Sequence, residues 1–509
     1  MTDRRRMPVD GFEMCDRAAG QGSLADAQWL PAVVPGGVHE ALRAAGHIPD
    51  RESDVAWTAR REWWFRTRVA GPERAPGDRV RLGFDALTTI ADLWLGGLPL
   101  GRHENRFHPA VFDVTDRLPP GTSADLVVRF TPGLPAREAA AGPRRPMRPV
   151  AGLSGTGFSG GGDFTPPLSS PGIWRPAWLS VEHRAVLTGH HVGLTDLAND
   201  RSHGTVRMRA DVDAFAATTA MVAFTLTTPG GRTVRRQALV ADGVATVEFE
   251  LHDPVLWWTS DLGEPALHEV RIELTADGIP VDVLEDRVGL RTVTLGRGPD
   301  QLEGGRLFCF RLNGIPLSAH DAVSVPPNPL AGSSDGTPVR DRVRRAREGN
   351  VPILRVRGGY VPDDFYTACD EQGVLVRQDF RFAGTDYPGD SDAFRTEVAA
   401  EVQAQVSRLR NRACLVLWCG NGEVEVSHQP TPGSHEGGDR GRSILSEVLP
   451  VAVAAHDGLV PYWPGNPSSA DDTDSSVSEF GIRSTYDGGT FEQRLPGNTR
   501  HDTTFGQAR

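Results

Sequence analysis

Two glutamates stand out for where they sit in the chain. Glu423 follows the apolar run Cys414–Trp418 through Cys419-Gly420-Asn421-Gly422, and Glu479 ends the short stretch Ser475-Ser476-Val477-Ser478. In parallel β/α folds, reactive groups sit just past the C-terminal ends of strands. A pair of carboxylates flanking one bond is the minimum equipment for glycoside hydrolysis. One donates and recovers a proton, and the other attacks the anomeric carbon. Spacing alone does not separate this reading from two solvated or helix-capping glutamates.

The elements around these residues change character along the chain. From Arg79 to about Glu182, short β-rich runs are punctuated by Gly, Pro and Asp, as in a sandwich or jelly roll. The Gly/Pro/Ser-rich stretch 132–171 reads as a long loop. From about Arg184 to Leu295 a second alternating pattern, with turns at Pro229-Gly230-Gly231 and Ala276-Asp277-Gly278, predicts an immunoglobulin-like sandwich. After Gly296 the period becomes helical. Val339, Val343 and Ala346 predict a helix closed by Gly349, and Phe394, Val398, Val402, Val406 and Leu409 predict a longer one opened by Ser391. Strands at Ile353–Val356, Val374–Val376 and Cys414–Trp418 alternate with these helices. That alternation predicts parallel β/α units, in either a barrel or a doubly wound sheet.

Composition excludes several chemistries. The 509 residues carry a formal net charge of −12 and contain no lysine, so Schiff-base and P-loop lysine chemistry are ruled out. No basic run is long enough to follow a phosphate backbone, so no nucleic-acid partner is expected. The five cysteines (Cys15, Cys309, Cys369, Cys414 and Cys419) show no CxxC spacing, so neither a disulfide framework nor a zinc site is expected. His428 and His435 lie in a polar loop without further ligands, and no metal or other cofactor is expected. No apolar segment follows the basic start, and no run of about 18 apolar residues occurs, so a reduced cytoplasmic location is the expectation. Trp63, Trp64 and Trp174 read as core residues, His39 as a buried hydrogen-bonded histidine and Cys419 as a packed side chain.

The sequence resembles glycoside hydrolase family 2, of the β-mannosidase type. LVLWCGNGEVE is similar to that family's acid/base motif, and VSEFGIRS to its nucleophile motif. Further similar segments run in the family's order from about Trp29 to Ser484. They include LPAVVPGGVHEALRAAGHIPD, RLGFDALTTIADLWLGGLPLGRHENRFHPAVFDVT, DFTPPLSSPGIWRP, ILRVRGGYVPDDFYTACDEQGVLVRQDFRF and PYWPGNPSS.

The resemblance implies a jelly-roll domain over residues 1–183, an immunoglobulin-like sandwich over 184–295 and a TIM (β/α)8-type barrel over 296–509. It implies an exo-acting retaining enzyme on terminal β-mannosides, with a carbohydrate as its partner. Glu479 would be the nucleophile and Glu423 the acid/base. Asp163, Arg355, Asn421, Trp418 and Trp463 would contact substrate.

Several positions depart from the family's pattern. Gly422 replaces an Asn that bonds the sugar's 2-hydroxyl, and Arg357 and Arg377 stand where the family has Trp. Glu479 lies only 56 positions after Glu423 and 30 residues follow it, so the barrel reads as incomplete: a short divergent form or an eroded or truncated gene. Two further readings therefore accompany the first. One is a catalytically impaired or non-catalytic carbohydrate-binding homologue. The other is a relative acting on β-glucosaminides or β-galactosides.

Overall fold

A computed structural model describes residues 6–20, 24–48, 56–88, 90–131, 170–299, 306–317, 322–325, 338–351, 353–383, 387–422 and 441–465. Alternating apolar positions in the first part of the chain build two antiparallel sheets. One has four strands, in the order Arg6–Pro8, Ala177–Glu182, Arg79–Phe84, Ala110–Asp113. The other has six: Leu30–Pro31, Glu13–Ala18, Arg61–Ala70, Ser123–Thr131, Ile90–Leu95, Leu98–His103. Their facing sides bury Phe65, Leu82, Phe84, Leu126, Val128 and Phe130 in one cluster, with Phe65 and Phe130 edge to face at 5.3 Å. Trp63 and Trp64 are buried, and His39 bonds Thr58 at 3.0 Å.

A second sandwich follows. A three-stranded sheet (Val186–Leu197, His203–Asp213, Val244–His252) faces a four-stranded one (Thr233–Leu239, Ala220–Thr227, His268–Ala276, Ile279–Val288). Three plus four strands in antiparallel pairs is the immunoglobulin-like arrangement. The last hairpin turns at Asp277-Gly278, where both residues have positive φ, 49° and 79°. That is the backbone a two-residue hairpin needs, and Asp-Gly supplies it at low cost.

The third unit is a parallel sheet of five strands: Ala322–Val325, Ile353–Val356, Leu375–Ala383, Leu415–Gly422 and Tyr462–Trp463. Their spatial order is their sequence order, without the reversal that marks a doubly wound sheet. Among the described residues this sheet does not close on itself. Helices Val339–Glu348, Asp363–Gln372, Asp392–Leu409 and Leu449–His456 connect the strands. Ser391 caps the third helix by accepting from the Phe394 N–H, and the stripe Phe394, Val398, Val402, Val406, Leu409 is fully buried.

The fourth strand is longer than the sequence suggests. Cys419-Gly420-Asn421-Gly422 resembles a turn, yet all four residues continue the strand, with Gly420 at a shift in the register. Gly420 permits this: a β-carbon there would lie 2.2 Å from the Pro464 carbonyl oxygen and 2.4 Å from the Tyr462 hydroxyl.

One helix, Asp392–Leu409, ties the three units together. Its Glu401 is fully buried and accepts bonds from Asn105 Nδ2 (3.1 Å) in the N-terminal sandwich, and from Arg381 Nε (2.7 Å) and the Tyr360 hydroxyl (3.3 Å). His108 bonds Glu397 at 3.1 Å beside it. Just past the helix, Arg410 bonds the His190 carbonyl (2.9 Å) and Asp211 (2.8 Å) of the immunoglobulin-like sandwich, while Asn411 Oδ1 accepts from Val192 N (2.9 Å). No helix among the described residues is long and apolar enough to cross a membrane.

Two outcomes follow for stability. Glu401→Ala takes the carboxylate from the buried Arg381 and should cost about 3–5 kcal/mol. Asn105→Ala should cost about 1–3 kcal/mol. Urea unfolding of both variants measures this, and parental midpoints would refute the linkage.

Burial holds the His103 and His268 rings neutral, with pKa values lowered to about 4. The unfolded chain takes up these protons near 6.5 and so binds more protons than the native state below that pH. The contribution is complete above pH 6.5 and is lost as pH falls toward 4. Urea midpoints should decline across that window, whereas a flat profile would mean the rings protonate freely in the fold.

Candidate active site

The parallel strands gather a polar cluster on the face away from the helices. Alternation along each strand decides which side chains belong to it. Arg355 on the second strand stands in register with Arg377 on the third. Asp379 stands beside Cys419 of the fourth, and Cys419 beside Trp463 of the fifth. Asp379 binds both arginines, one on each oxygen. Oδ2 accepts from Arg355 Nε (2.7 Å) and Nη2 (2.5 Å), and Oδ1 from Arg377 Nε (3.0 Å). Arg377 Nη2 also reaches the Cys419 sulfur at 3.1 Å.

All of these side chains are buried, so their charges interact in a poorly screened setting. Burial opposes the charge on both guanidiniums. At Arg355 burial prevails and lowers the pKa, while at Arg377 the pull of Asp379 and Cys419 outweighs it and the pKa is raised. Burial pushes the Cys419 thiol up to about 11, so it is a protonated packing group and not a nucleophile. Both arginines share Asp379, and among the described residues Arg377 Nη1 makes no hydrogen bond.

Asn421, two residues beyond Cys419, is fully buried on the same face and donates to the Pro464 carbonyl at 2.9 Å. A β-carbon on Gly465 would come within 2.5 Å of its Nδ2, so the chain leaving the fifth strand passes directly over this amide. Trp463 is 3% exposed.

Trp418 lies elsewhere. Its ring stacks on Phe380 (5.5 Å, 19°), on the helix-facing side of the sheet, and its Nε1 donates to Asp457 at 2.7 Å. It is fully buried there, so the structure does not bring it together with the arginine cluster. The reason is parity: Cys419 faces the arginine cluster, so its neighbour must face the helices. An irregular register between Asp379 and Phe382 likewise re-aims Arg381, which turns out toward Glu401. Arg357 is buried at 8% exposure.

Glu423, Glu479 and Asp163 lie outside the described residues, as do His428 and His435. Gly422, the last residue of the fourth strand, immediately precedes Glu423. Asp379 and Glu401 were not singled out from sequence. For Asp379 the signal was charged residues at alternate positions (Arg377, Asp379, Arg381) in a strand whose other residues are uncharged and, Gln378 apart, apolar.

Residues 17–175 match the glycosyl hydrolase 2 galactose-binding domain-like family, and residues 192–291 match glycosyl hydrolases family 2. Beta-mannosidase B of Aspergillus terreus is 31% identical over 473 residues, covering 86% of this chain and 55% of that protein. Beta-mannosidase B of Aspergillus niger is 28% identical over 479 residues, covering 87% and 55%. The chain thus spans about half the length of these curated relatives. The crystal structure of a β-D-mannosidase from Dictyoglomus thermophilum superposes with a TM-score of 0.80 at 28% identity, covering 94% of this chain and 59% of that one. The exo-chitosanase of Amycolatopsis orientalis, 18% identical, shares the fold with a TM-score of 0.68 over 91% of this chain and 53% of its own.

Asp379→Asn removes the counter-charge that Arg355 and Arg377 share. It should destabilise the parallel unit by about 3–5 kcal/mol. Thermal unfolding checks this, and an unchanged transition would show that the two cations are balanced elsewhere.

Proposed function

The chain belongs to glycosyl hydrolase family 2, and on that footing we propose that it is an exo-acting retaining β-glycosidase of terminal β-mannosides. The observation that carries the proposal is positional. The strand Leu415–Gly422 runs directly into Glu423, and its inner face joins Arg355, Asp379, Asn421 and Trp463 at one rim of the parallel sheet. The unbroken order of the five strands supports reading this sheet as part of a (β/α)8-type barrel spanning residues 296–509. The preceding sandwiches then correspond to units 1–183 and 184–295.

On this reading Glu479 attacks the anomeric carbon as Glu423 protonates the departing glycosidic oxygen. Glu423 then takes a proton from water, whose oxygen displaces Glu479 from the sugar and restores both carboxyls. Double displacement requires the two carboxyl groups to lie about 5–5.5 Å apart. Arg355 positions the nucleophile's side of the cleft, Asp163 and Asn421 bind sugar hydroxyls, and Trp463 presents an apolar wall.

The buried arginine pair favours a second reading. Arg377 fills part of the inner face where the family pattern has an aromatic ring, which fits a homologue that binds carbohydrate with little or no turnover.

Purified protein and its Glu479→Gln variant, assayed on aryl β-mannoside, β-glucoside, β-galactoside and β-glucosaminide, decide between the two. Turnover of the mannoside by the parent, reduced at least a thousandfold in the variant, is the expected result. Sugar binding without turnover on any substrate would establish the second reading. Preference for another glycoside would reassign the specificity.

A further inference from the structure

A cavity of about 270 Å³ opens where the immunoglobulin-like sandwich meets the end of helix Leu449–His456. His191, Arg207 and Arg209 line it from two paired strands of the sandwich, Arg410 from the turn after helix Asp392–Leu409, and His456 and Asp457 from the opposite wall. Three guanidiniums therefore face one carboxylate.

That carboxylate is already engaged. Asp457 Oδ2 accepts from Trp418 Nε1 (2.7 Å), and Oδ1 from the backbone N–H groups of Leu459 (3.1 Å) and Val460 (3.3 Å). The acids that pair with the arginines, Asp211 and Glu248, are not part of the cavity wall.

The donors divide into spent and free. Arg410 is fixed through all three nitrogens, to the His190 carbonyl (2.9 Å), the His456 carbonyl (2.7 Å) and Asp211 (2.8 Å). Arg209 engages Asp211 through Nε and Nη2, and Arg207 engages Glu248 through Nε. Among the described residues this leaves both Nη groups of Arg207 and Nη1 of Arg209 without hydrogen bonds. The buried His191 Nε2 also has no hydrogen bond and lies 3.7 Å from Asp457 Oδ1. Burial, and then the positive charge of Arg410, lower the pKa of both His191 and His456, so neither ring adds charge at neutral pH. The wall thus offers the unbonded Nη groups of two partly exposed arginines, and it sets three guanidiniums against the single carboxylate of Asp457.

We propose that this cavity is a binding site for a small oxyanion of phosphate's size and charge, held by the free edges of Arg207 and Arg209. A planar guanidinium presents paired N–H groups that match two oxygens of such an anion. The ligand chemistry is the same for free inorganic phosphate and for the phosphoryl end of a small metabolite.

Isothermal titration calorimetry of the full chain with sodium phosphate, against sodium chloride at matched ionic strength, tests the site. A hexose 6-phosphate supplies the second arm. Saturable one-site binding absent with chloride is expected. Similar affinity in the two arms identifies the inorganic anion, whereas at least tenfold tighter binding of the sugar phosphate identifies the metabolite.

Two variants locate the site. The double substitution Arg207→Gln/Arg209→Gln removes the free donors, and Ala455→Trp, at an exposed lining position, fills the space with every charge kept. Each should weaken binding at least tenfold while circular dichroism stays parental. No heat above the chloride control, or parental affinity in either folded variant, overturns the proposal.

Discussion

A fully buried carboxylate on a helix must find donors or destabilise the fold, and Glu401 finds them on three different elements. Asn105 comes from the N-terminal sandwich, Arg381 from the third parallel strand and Tyr360 from the loop after the second. An apolar contact between these elements would tolerate sliding by a fraction of a residue. Hydrogen bonds of about 3 Å to one carboxylate do not, because a charged group left unpaired in the interior costs several kcal/mol. Arg410 imposes the same condition at the other end of the helix, on the immunoglobulin-like sandwich. Polar groups at two points on one helix therefore help fix both sandwiches against the parallel sheet, alongside contacts such as Trp257 Nε1 to the Asp370 carbonyl and Arg291 to the Ala413 carbonyl.

The rim of the parallel sheet follows the same logic at closer range. A sheet covered by helices on one face and closed over on the other ordinarily has apolar strands. Here the helix-facing side largely obeys that rule, with Val376, Phe380 and Trp418 buried in the main cluster and Gln378 buried among them, bonded to Tyr366 and to the Gly359 carbonyl. The other side carries Arg355, Arg377, Asp379, Cys419 and Asn421. Nothing in the packing of the sheet requires these polar groups, and holding them buried is costly. An inner face that carries buried charged groups is what a site for a polar ligand demands.

What could be read from the sequence was local. Ser391 as a cap, the stripe Phe394 to Leu409, the Asp277-Gly278 turn and the apolar core of each parallel strand are all written within a few residues, and the structure has them. Two kinds of feature were not legible. The first was parity. Trp418 sits beside a glycine-rich segment that resembles a turn, so nothing nearby showed that the strand continues and that Trp418 points at the helices. The second was partnership across distance. Asp379 joins Arg355 from 24 residues away, and Asn105 meets Glu401 from 296 away. Each of these side chains alone looks like an ordinary surface residue.

The inner-face charges also bear on the altered positions. Among the described residues, Arg355 and Arg377 both draw on the single carboxylate of Asp379 in a dry region. A replacement of tryptophan by arginine at 377 would be hard to tolerate if the nearby cleft held only neutral sugar. On the proposed reading it does not: Glu423 and Glu479 bring two further carboxylates to the same rim. An added cation then has an electrostatic role, stabilising the ionised form of a neighbouring carboxylate and holding its pKa down. That favours a carboxylate ready to attack, and works against one that must stay protonated to release the leaving group. The distances from Arg377 to the two glutamates therefore govern whether this substitution preserves the pair's division of labour or abolishes it.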